Sequence, residues 1–517
     1  MSSINSLPQG FHNSAFSCET LFIQPDDSEF YQCLTEGLKF VERYPEVLGM
    51  IERDQDQHGL QKKLIRELDR ISEHQSFGRL EFVDDDSIAM PFELETLKVG
   101  RPRMNPLTVF IYLLAEAYLG GSTTNRHAAN YLADSQTIFA FLTRQQIRVP
   151  GASTIHDNLR CLSASTIETI FDLQLKMIRE DEMDSFEKVF IDSTSVSANS
   201  SWPTDSGMMH GLAKRALLLL TRLHKMFGSN FADKKLTEWL DLFDKIDFQI
   251  SLVRGKVNAV SKRKKLYRQL FDKVGKFMER ATKRMRDFRI KHKDSQLSFS
   301  ERRKVVSKVD LFSKTLSDLL YVHEYSNKRV LENVNLSSRE KILSLSDGDA
   351  AFIIKGGRDT VLGYKPQVAV SENMFVTSVL VPEGNAADSD MLMLSVDDSM
   401  ERTGVKPRLV STDDGYVSRK NLEELRDLDV EVISFGGSKG KNLLDEKWEQ
   451  KEYLKARNDR SKAESIMFSL KHLFNFGQLQ RRGADEVREE LTMKAVIYNF
   501  YHIAKKKRTS EVIVSVA

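Results

Sequence analysis

The fold of this chain is decided by Lys188–Ser206, which reads KVFIDSTSVSANSSWPTDS. The β-branched and aromatic run Val189–Ile191 predicts a short buried strand. The run ends on Asp192, and small hydroxyl residues follow it. A bare carboxylate at the exit of a buried strand is costly unless another group is paired with it. The partner of Asp192 must therefore be sought elsewhere in the chain.

A second predicted strand also ends on an acid. Arg408–Ser411 is followed by Thr412 and Asp413, and Gly415 allows a sharp turn after them. In a parallel α/β sheet, the carboxyl ends of the strands form the usual active-site edge. We therefore expect Asp192 and Asp413 to meet at that edge. The alternative is that each aspartate is only a turn or cap residue.

A third acid, Glu464, lies on a helix predicted over Asp459–Phe474. Arg460 precedes it by four residues and Lys471 follows it by seven, so all three fall on one helix face. Two strand-end aspartates and a glutamate supply the hard oxygen ligands that Mg²⁺ or Mn²⁺ prefers. Two such ions about 4 Å apart can activate a water and stabilise the leaving oxygen in phosphodiester cleavage. The alternative for the Arg–Glu pair is a solvated helix face without chemistry.

The order of predicted elements indicates an α/β domain that is interrupted by an insertion. Residues 212–345 are almost wholly helical in pattern. Beyond them, strands are predicted at Ala351–Ile354, Lys365–Val370, Val376–Val381 and Val430–Phe435. The predicted regions are a mostly helical acidic region at 1–98, a helix-turn-helix-like module at 99–165, the first part of the α/β domain at 166–211, the basic helical insertion at 212–345, the second part of the α/β domain at 346–508 and a tail at 509–517.

Positive charge is concentrated within the predicted insertion. The whole chain has a net charge of +2, but Ser251–Val309 contains 20 Lys and Arg against 5 Asp and Glu, a local excess of +15. One interpretation is a face that binds a polyanion. The other is a solvated helical face.

Several classes of protein are not indicated by the sequence. No apolar run reaches the roughly 18 residues needed to span a bilayer, and the N-terminus lacks the pattern of a signal peptide. The cysteines Cys18, Cys33 and Cys161 are widely spaced, without a disulfide or zinc-site rhythm. No glycine-rich phosphate loop is present, so ATP use is not indicated. We expect a reduced, cytoplasmic protein without a membrane partner.

Taken together, these residues resemble the DDE-type insertion-sequence transposases. Four segments are similar to the family's motifs and occur in the same order: Asp192–Thr194 with Asn199 and Pro203–Ser206; Gly363–Lys365 with Asn385–Asp388; Asp413 with Gly415 and Tyr416; and Arg460, Glu464 and Lys471. In many members a Tyr lies three residues before that Arg. Here the position is Arg457, a departure that leaves the acids intact.

The resemblance implies a fold and an activity. The fold is an α/β RNase H-like catalytic core, interrupted by an all-α basic insertion and preceded by a helical DNA-binding module. Asp192, Asp413 and Glu464 would bind two Mg²⁺ ions per active site, for which Mn²⁺ can substitute. The enzyme would hydrolyse the phosphodiester at transposon ends and transfer the freed 3′-hydroxyl to target DNA. Its partners would be terminal inverted repeats and target DNA, bound by a homodimer that is associated with the nucleoid.

The resemblance also assigns roles to the surrounding residues. The expected DNA contacts are Arg460, Lys471 and Lys365, with Lys262, Arg263, Lys264, Lys265 and Arg284 in the basic block. The expected supporting residues are Asn199, Asp205, Gly415 and Tyr416. Alternatives remain for three positions: Asp205 could cap a helix, Lys365, which follows a predicted turn at Gly363-Tyr364, could be a surface lysine, and Asp388 could fix a turn.

Two other functions are compatible with the sequence. A DNA-binding protein that keeps the transposase fold without chemistry predicts end binding with a steep salt dependence and no metal-dependent product. An RNase H-like nuclease predicts nicked ends and no strand-transfer product. The intact acids favour an active transposase over the first alternative.

Overall fold

The computed structural model describes residues 27–71, 75–76, 104–119, 125–144, 146–147, 151–255, 258–354 and 360–516. The α-helices are α1 (Asp27–Arg43), α2 (Glu46–Ile71), α3 (Pro106–Tyr118), α4 (Asn125–Asp134), α5 (Gln136–Arg144), α6 (Ala152–Leu159), α7 (Ala164–Glu180), α8 (Asp205–Met226), α9 (Lys234–Leu252), α10 (Ala259–Lys291), α11 (Phe299–Leu331), α12 (Asp388–Thr403), α13 (Arg419–Asp427), α14 (Gly437–Leu444), α15 (Lys451–Asp459), α16 (Ser461–Leu473) and α17 (Ala484–Val516). The strands are β1 (Gln75–Ser76), β2 (Lys188–Ser193), β3 (Val196–Ser197), β4 (Gln296–Leu297), β5 (Ala351–Ile353), β6 (Val361–Tyr364), β7 (Gln367–Ser371), β8 (Val376–Leu380), β9 (Leu409–Thr412) and β10 (Val432–Phe435).

The chain divides into two compact units. The first contains the described residues of 1–54, 103–199 and 353–517, and the second contains those of 55–102 and 200–352. Helices occur at the residues of the predicted DNA-binding module, where α3 to α6 lie in the first unit. The DNA-binding role of these helices stays a prediction.

The first unit is built on a five-stranded mixed sheet with the order β10-β9-β2-β7-β8. Strands β10, β9 and β2 are parallel to one another, whereas β7 is antiparallel to β2 and to β8. All residues of β7, β9 and β10 are buried, because α12 packs on β7 and β8, α15 on β9 and β10, and α17 on β8. A mixed sheet covered by helices is consistent with an RNase H-like core.

A short second pairing stands beside this sheet. Strand β3 pairs with β6, where Val196 lies opposite Tyr364 and Ser197 opposite Gly363. A Cβ on Gly363 would lie 1.9 Å from the carbonyl oxygen of Val196, so only glycine permits this approach. The turn predicted at Gly363-Tyr364 is therefore wrong: both residues are in a strand, and Lys365 lies between two strands.

The second unit has a helical core formed by α8 to α11. Apolar residues from each helix meet there, among them Leu220, Phe243, Val274 and Leu319, all fully buried. Ser298 and Glu301 form a capping box that begins α11. These helices fall where the sequence predicts the insertion, whose limits stay a prediction.

One predicted helix begins two residues later in the structure. The helix predicted over Asp459–Phe474 is present as α16, which begins at Ser461, whereas Asp459 ends α15 and Arg460 lies between the two helices. Among the residues that the structure describes, no helix is long and apolar enough to cross a membrane.

Candidate active site

The two strand-end aspartates occupy neighbouring positions at one edge of the sheet. Ile191 of β2 is paired in parallel register with Thr412 of β9, so Asp192 and Asp413 follow side by side on adjacent strands. Neighbouring strands are about 4.8 Å apart, and both aspartates are half-buried. The structure thus brings together the two acids that the sequence placed at strand ends.

The turn after β9 holds Asp413 against a close neighbour. Asp413 Oδ1 accepts a hydrogen bond from the backbone N–H of Gly415 at 2.9 Å. A Cβ on Gly415 would lie 3.1 Å from Asp413 Oδ1 and 3.1 Å from Asp388 Oδ2. A side chain at position 415 would therefore push on two carboxylates at once. Glycine both allows the turn and leaves room for the acids.

A buried polar network lies next to this turn. The hydroxyl of Tyr416 donates to Gln367 Oε1, and Gln367 Nε2 donates to Asp388 Oδ1 at 3.0 Å. Lys365 Nζ lies 2.9 Å from the same Asp388 oxygen. Sequence reasoning missed Gln367, whose only signal is a polar residue at the start of an apolar strand.

Tyr416 lies close to three aspartates, Asp388, Asp192 and Asp413. Burial raises the pKa of its phenol well above the usual value, and the carboxylates of Asp388, Asp192 and Asp413 raise it further. The phenol therefore stays protonated and can donate to Gln367. Asp388 is thus a third acid beside the two strand-end aspartates, and it lies in the first turn of α12.

Lys365 is placed differently from a residue on an open DNA-binding surface. Only 7% of it is exposed, and its ammonium also donates to the carbonyl oxygen of Ala386 at 3.2 Å. Its predicted contact with DNA stays a prediction, but its burial and its pairing with Asp388 favour a role inside the site.

Glu464 is not joined to the aspartates in this structure. Helix α16 packs on β2 through buried residues that include Ala463 and Met467. The Glu464 side chain is 57% exposed, and its Oε1 is paired with Arg460 Nη2 at 2.9 Å. No group of three or more His, Cys, Asp or Glu residues in the described ranges is arranged to hold a metal ion.

The donor chemistry nevertheless fits a divalent cation at the strand ends. Asp192 and Asp413 are adjacent carboxylates, which are the ligands that Mg²⁺ and Mn²⁺ prefer. Glu464 would have to leave Arg460 to join them. The residues therefore fit a hard cation as a pair, with the third predicted ligand on a neighbouring helix.

Two basic positions of the predicted motif are also located. Lys471 is half-buried in the last turn of α16. Arg457, which stands where many members have a Tyr, stacks its guanidinium 3.7 Å from the centroid of the Trp448 ring and donates to the Trp448 carbonyl oxygen at 2.8 Å. Arg457, in the last turn of α15, thus joins that helix to the segment just before it by a cation–π contact.

The two supporting polar residues near β3 and α8 have structural partners. Asn199 Nδ2 donates to the carbonyl oxygen of Gln480 at 2.9 Å, and its own carbonyl accepts from Arg482 Nε at 3.1 Å. Asp205, in the second unit, is buried in the first turn of α8 and paired with Arg329 Nη2 at 2.5 Å. These contacts give both residues a structural function, and their predicted support of catalysis stays a prediction.

The predicted DNA contacts of the basic block lie in different environments on α10. Lys262 and Lys265 are exposed. Arg284 pairs with the buried Asp233 at 2.6 Å. Burial opposes ionisation of Asp233, but hydrogen bonds from Arg280 and Arg284 outweigh it and lower its pKa. Arg284 therefore has a partner within the second unit, although 38% of its side chain is exposed, and its contact with DNA stays a prediction.

Two further members of the block donate to backbone carbonyls. Arg263 Nη2 donates to Val253 at 3.1 Å and Lys264 Nζ donates to Leu331 at 3.1 Å. Their charges remain at the surface of the helix, because Arg263 is exposed and Lys264 is half-buried.

Comparison with known families identifies one segment of the chain. Residues 342–500 match the family described as the transposase DDE domain. Comparison with curated proteins and with solved structures finds no significant match. The family match supports transposase activity in general, with DNA as the substrate and divalent metal ions in the chemistry.

An earlier part of the chain belongs to the same sheet as the matched segment. The matched segment supplies β7, β8, β9 and β10, and β2 completes the same sheet between β9 and β7. Asp192 therefore stands beside Asp413 in one sheet although it lies outside the matched segment. The match of residues 342–500 to the transposase DDE domain thus confirms the resemblance of this chain to the DDE-type transposases.

Proposed function

We propose that this protein is a DNA transposase that hydrolyses phosphodiester bonds at transposon ends and transfers the freed 3′-hydroxyl to target DNA. The observation that carries the proposal is the register of β2 and β9, which sets Asp192 beside Asp413 at the carboxyl edge of a sheet whose four strands other than β2 lie in the segment that matches the transposase DDE domain. Asp413 also caps its own turn, but two carboxylates side by side are the donor set that a hard divalent cation prefers.

In this proposal Asp192 and Asp413 hold two Mg²⁺ ions, with Mn²⁺ as a substitute. Bound there, the ions would supply an activated water and stabilise the leaving oxygen. Glu464 would be the third ligand once DNA draws Arg460 away from it, because a DNA phosphate can compete with the carboxylate for the guanidinium. No ATP is required.

The proposed DNA contacts are basic side chains in both units. Arg460, just before α16, and Lys471, in its last turn, are half-buried, and Lys262 and Lys265 are exposed on α10. Phosphate contacts of this kind give affinity without base specificity and weaken as salt rises. The protein would act where DNA is, in the cytoplasm at the nucleoid, and as a homodimer because two transposon ends must be cut together.

The test is cleavage and joining of a labelled fragment that carries the element's own terminal inverted repeat. Reactions contain Mg²⁺, Mn²⁺ or EDTA, with an unlabelled plasmid as target. Parent protein should give an end-cleaved fragment and a plasmid-joined product with either metal. Asp413→Asn should give neither, whereas Asp414→Asn, which changes the neighbouring exposed acid, should cut as the parent does.

The outcomes separate the competing functions. Cleaved ends without joined product in any metal would indicate a nuclease that never joins. Salt-sensitive binding of the ends by folded protein, without cleavage in either metal, would indicate a transposase-derived DNA-binding protein. Sedimentation of the protein–DNA complex tests the homodimer, which would be contradicted by one protomer on a fragment that has been cut at both ends.

A further inference from the structure

A buried ion pair, Lys365–Asp388, lies close to the two strand-end aspartates. Lys365 Nζ is 2.9 Å from Asp388 Oδ1, and only 9% and 14% of the two side chains are exposed. A buried charge pair adds little stability by itself, because desolvation offsets the attraction. Each charge of such a pair nevertheless changes the electrostatic potential at neighbouring groups, since charges are screened less inside a protein than in water.

Asp388 is connected to both strand-end aspartates. On one side its Oδ2 and Asp413 Oδ1 each lie 3.1 Å from the place where Gly415 lacks a Cβ. On the other side its Oδ1 accepts from Gln367, which is paired in the sheet with Ser193, the residue after Asp192. The carboxylate of Asp388 thus lies close to Asp413 and is linked through Gln367 to the strand that carries Asp192.

We propose that the Lys365–Asp388 pair is a positioning element that sets how strongly Asp192 and Asp413 bind a divalent cation. Asp388 adds negative potential at the cation position, and Lys365 limits it, so the pair keeps the affinity low enough for the ions to be exchanged. This inference rests on the proposed function, because it concerns the same two aspartates.

The two charges act in opposite directions, which separates this role from a merely structural one. Asp388→Asn leaves the Lys365 ammonium uncompensated beside the site and should weaken Mn²⁺ binding about tenfold. Lys365→Met leaves the Asp388 carboxylate uncompensated and should strengthen Mn²⁺ binding about tenfold. The double variant buries no net charge and should bind Mn²⁺ within a few-fold of the parent.

The experiment is a titration of full-length protein with Mn²⁺ alone, in which electron paramagnetic resonance reports the free ion. The parent, both single variants, the double variant and Asp413→Asn are compared, and circular dichroism verifies that each is folded. If Lys365→Met does not fold, the comparison of the double variant with Asp388→Asn decides, because removal of the ammonium should then restore affinity.

Failure of the inference and failure of the proposed function look different. Shifts of both single variants in the same direction, or a double variant no tighter than Asp388→Asn, would overturn the positioning role and leave the metal site standing. A parent that binds no more Mn²⁺ than Asp413→Asn would overturn the proposed metal site, and this inference with it.

Discussion

Asp192 and Asp413 lie side by side on two parallel strands, because Ile191 of β2 is paired with Thr412 of β9. The larger part of the second unit, from Ser200 to Phe352, lies in the chain between them. Of these two aspartates, only Asp413 lies within the family match at 342–500. The sheet itself therefore joins Asp192 to the segment that matches the transposase DDE domain.

Gly415→Ala tests the close approach of the acids. The added methyl would lie 3.1 Å from oxygens of Asp413 and Asp388, so we expect the acids to shift and end cleavage to fall about tenfold. Gly415 is exposed, so stability should change by less than about 1 kcal/mol. Gly348→Ala is the matched control, because a Cβ there meets nothing within 4 Å. Unchanged cleavage by Gly415→Ala would show that the carboxylates accommodate the methyl group without a loss of activity, and would contradict this prediction.

Glu464→Gln tests whether the third acid joins the site only with DNA. Because Glu464 is paired with Arg460 in the free protein, the substitution should leave Mn²⁺ binding without DNA within about twofold, yet abolish end cleavage. Asp413→Asn should abolish both. Glu452→Gln on α15 serves as the control for loss of an exposed glutamate. A large loss of Mn²⁺ binding by Glu464→Gln in the absence of DNA would show that Glu464 already binds the metal in the free protein, and would contradict this prediction.

Lys494→Met tests a buried ion pair that supports α17. Only 1% of the Lys494 side chain is exposed, and its Nζ lies 2.8 Å from Glu490 Oε1. It also donates to the carbonyl oxygens of Asn475 and Gln478. Removing the ammonium leaves a buried carboxylate without its counter-charge, so the free energy of unfolding should fall by about 3 kcal/mol. Urea unfolding measures this, with the exposed Lys420→Met as control. A difference under about 1 kcal/mol would contradict it.

His502 predicts a loss of stability in mild acid. Burial lowers its pKa from 6.5 to about 4, although its Nε2 donates to the Asn373 carbonyl oxygen at 2.8 Å. The unfolded chain therefore binds a proton on His502 below pH 6.5, whereas the folded protein does not until about pH 4. Stability that is present above pH 6.5 is lost as the pH falls, by about 2 kcal/mol at pH 5 from this group.

The measurement for His502 is urea unfolding at pH 7.5 and pH 5. His502→Phe keeps an aromatic ring beside Phe375 but cannot titrate, so its stability should fall less with acid than that of the parent. Equal losses in the two proteins would show that the imidazole is protonated at similar pH in the folded and unfolded chains.

The strand ends could be predicted from sequence because local signals define them. Val189–Ile191 and Leu409–Thr412 are short apolar runs that stop at an acid, and the rule that parallel strands share a carboxyl edge brings those acids together. The helical pattern of residues 212–345 is likewise local and periodic. These parts of the fold depend on composition and spacing that a single sequence displays.

The remaining features depend on contacts between distant segments. Nothing in the sequence near Gln367 indicates that its amide bridges Tyr416 and Asp388, because the bridge exists only once β7, α12 and the turn after β9 are packed. The break at Arg460 has no Pro or Gly to mark it. The sequence at Gly363 predicts a turn because glycine is common in turns, whereas in the structure this glycine lies in a strand and admits the backbone of Val196.

The central claim is that Asp192 and Asp413 bind the same catalytic metal ions. The most direct measurement is end cleavage by Asp192→Cys and Asp413→Cys variants, each assayed in Mg²⁺ and in Mn²⁺ beside the parent. A thiolate is a poor ligand for Mg²⁺ and a better one for the softer Mn²⁺. The account predicts that both variants are inactive in Mg²⁺ and recover cleavage in Mn²⁺, while the parent cuts in both. Cysteine variants that cut in Mg²⁺ at the parent's rate would contradict it.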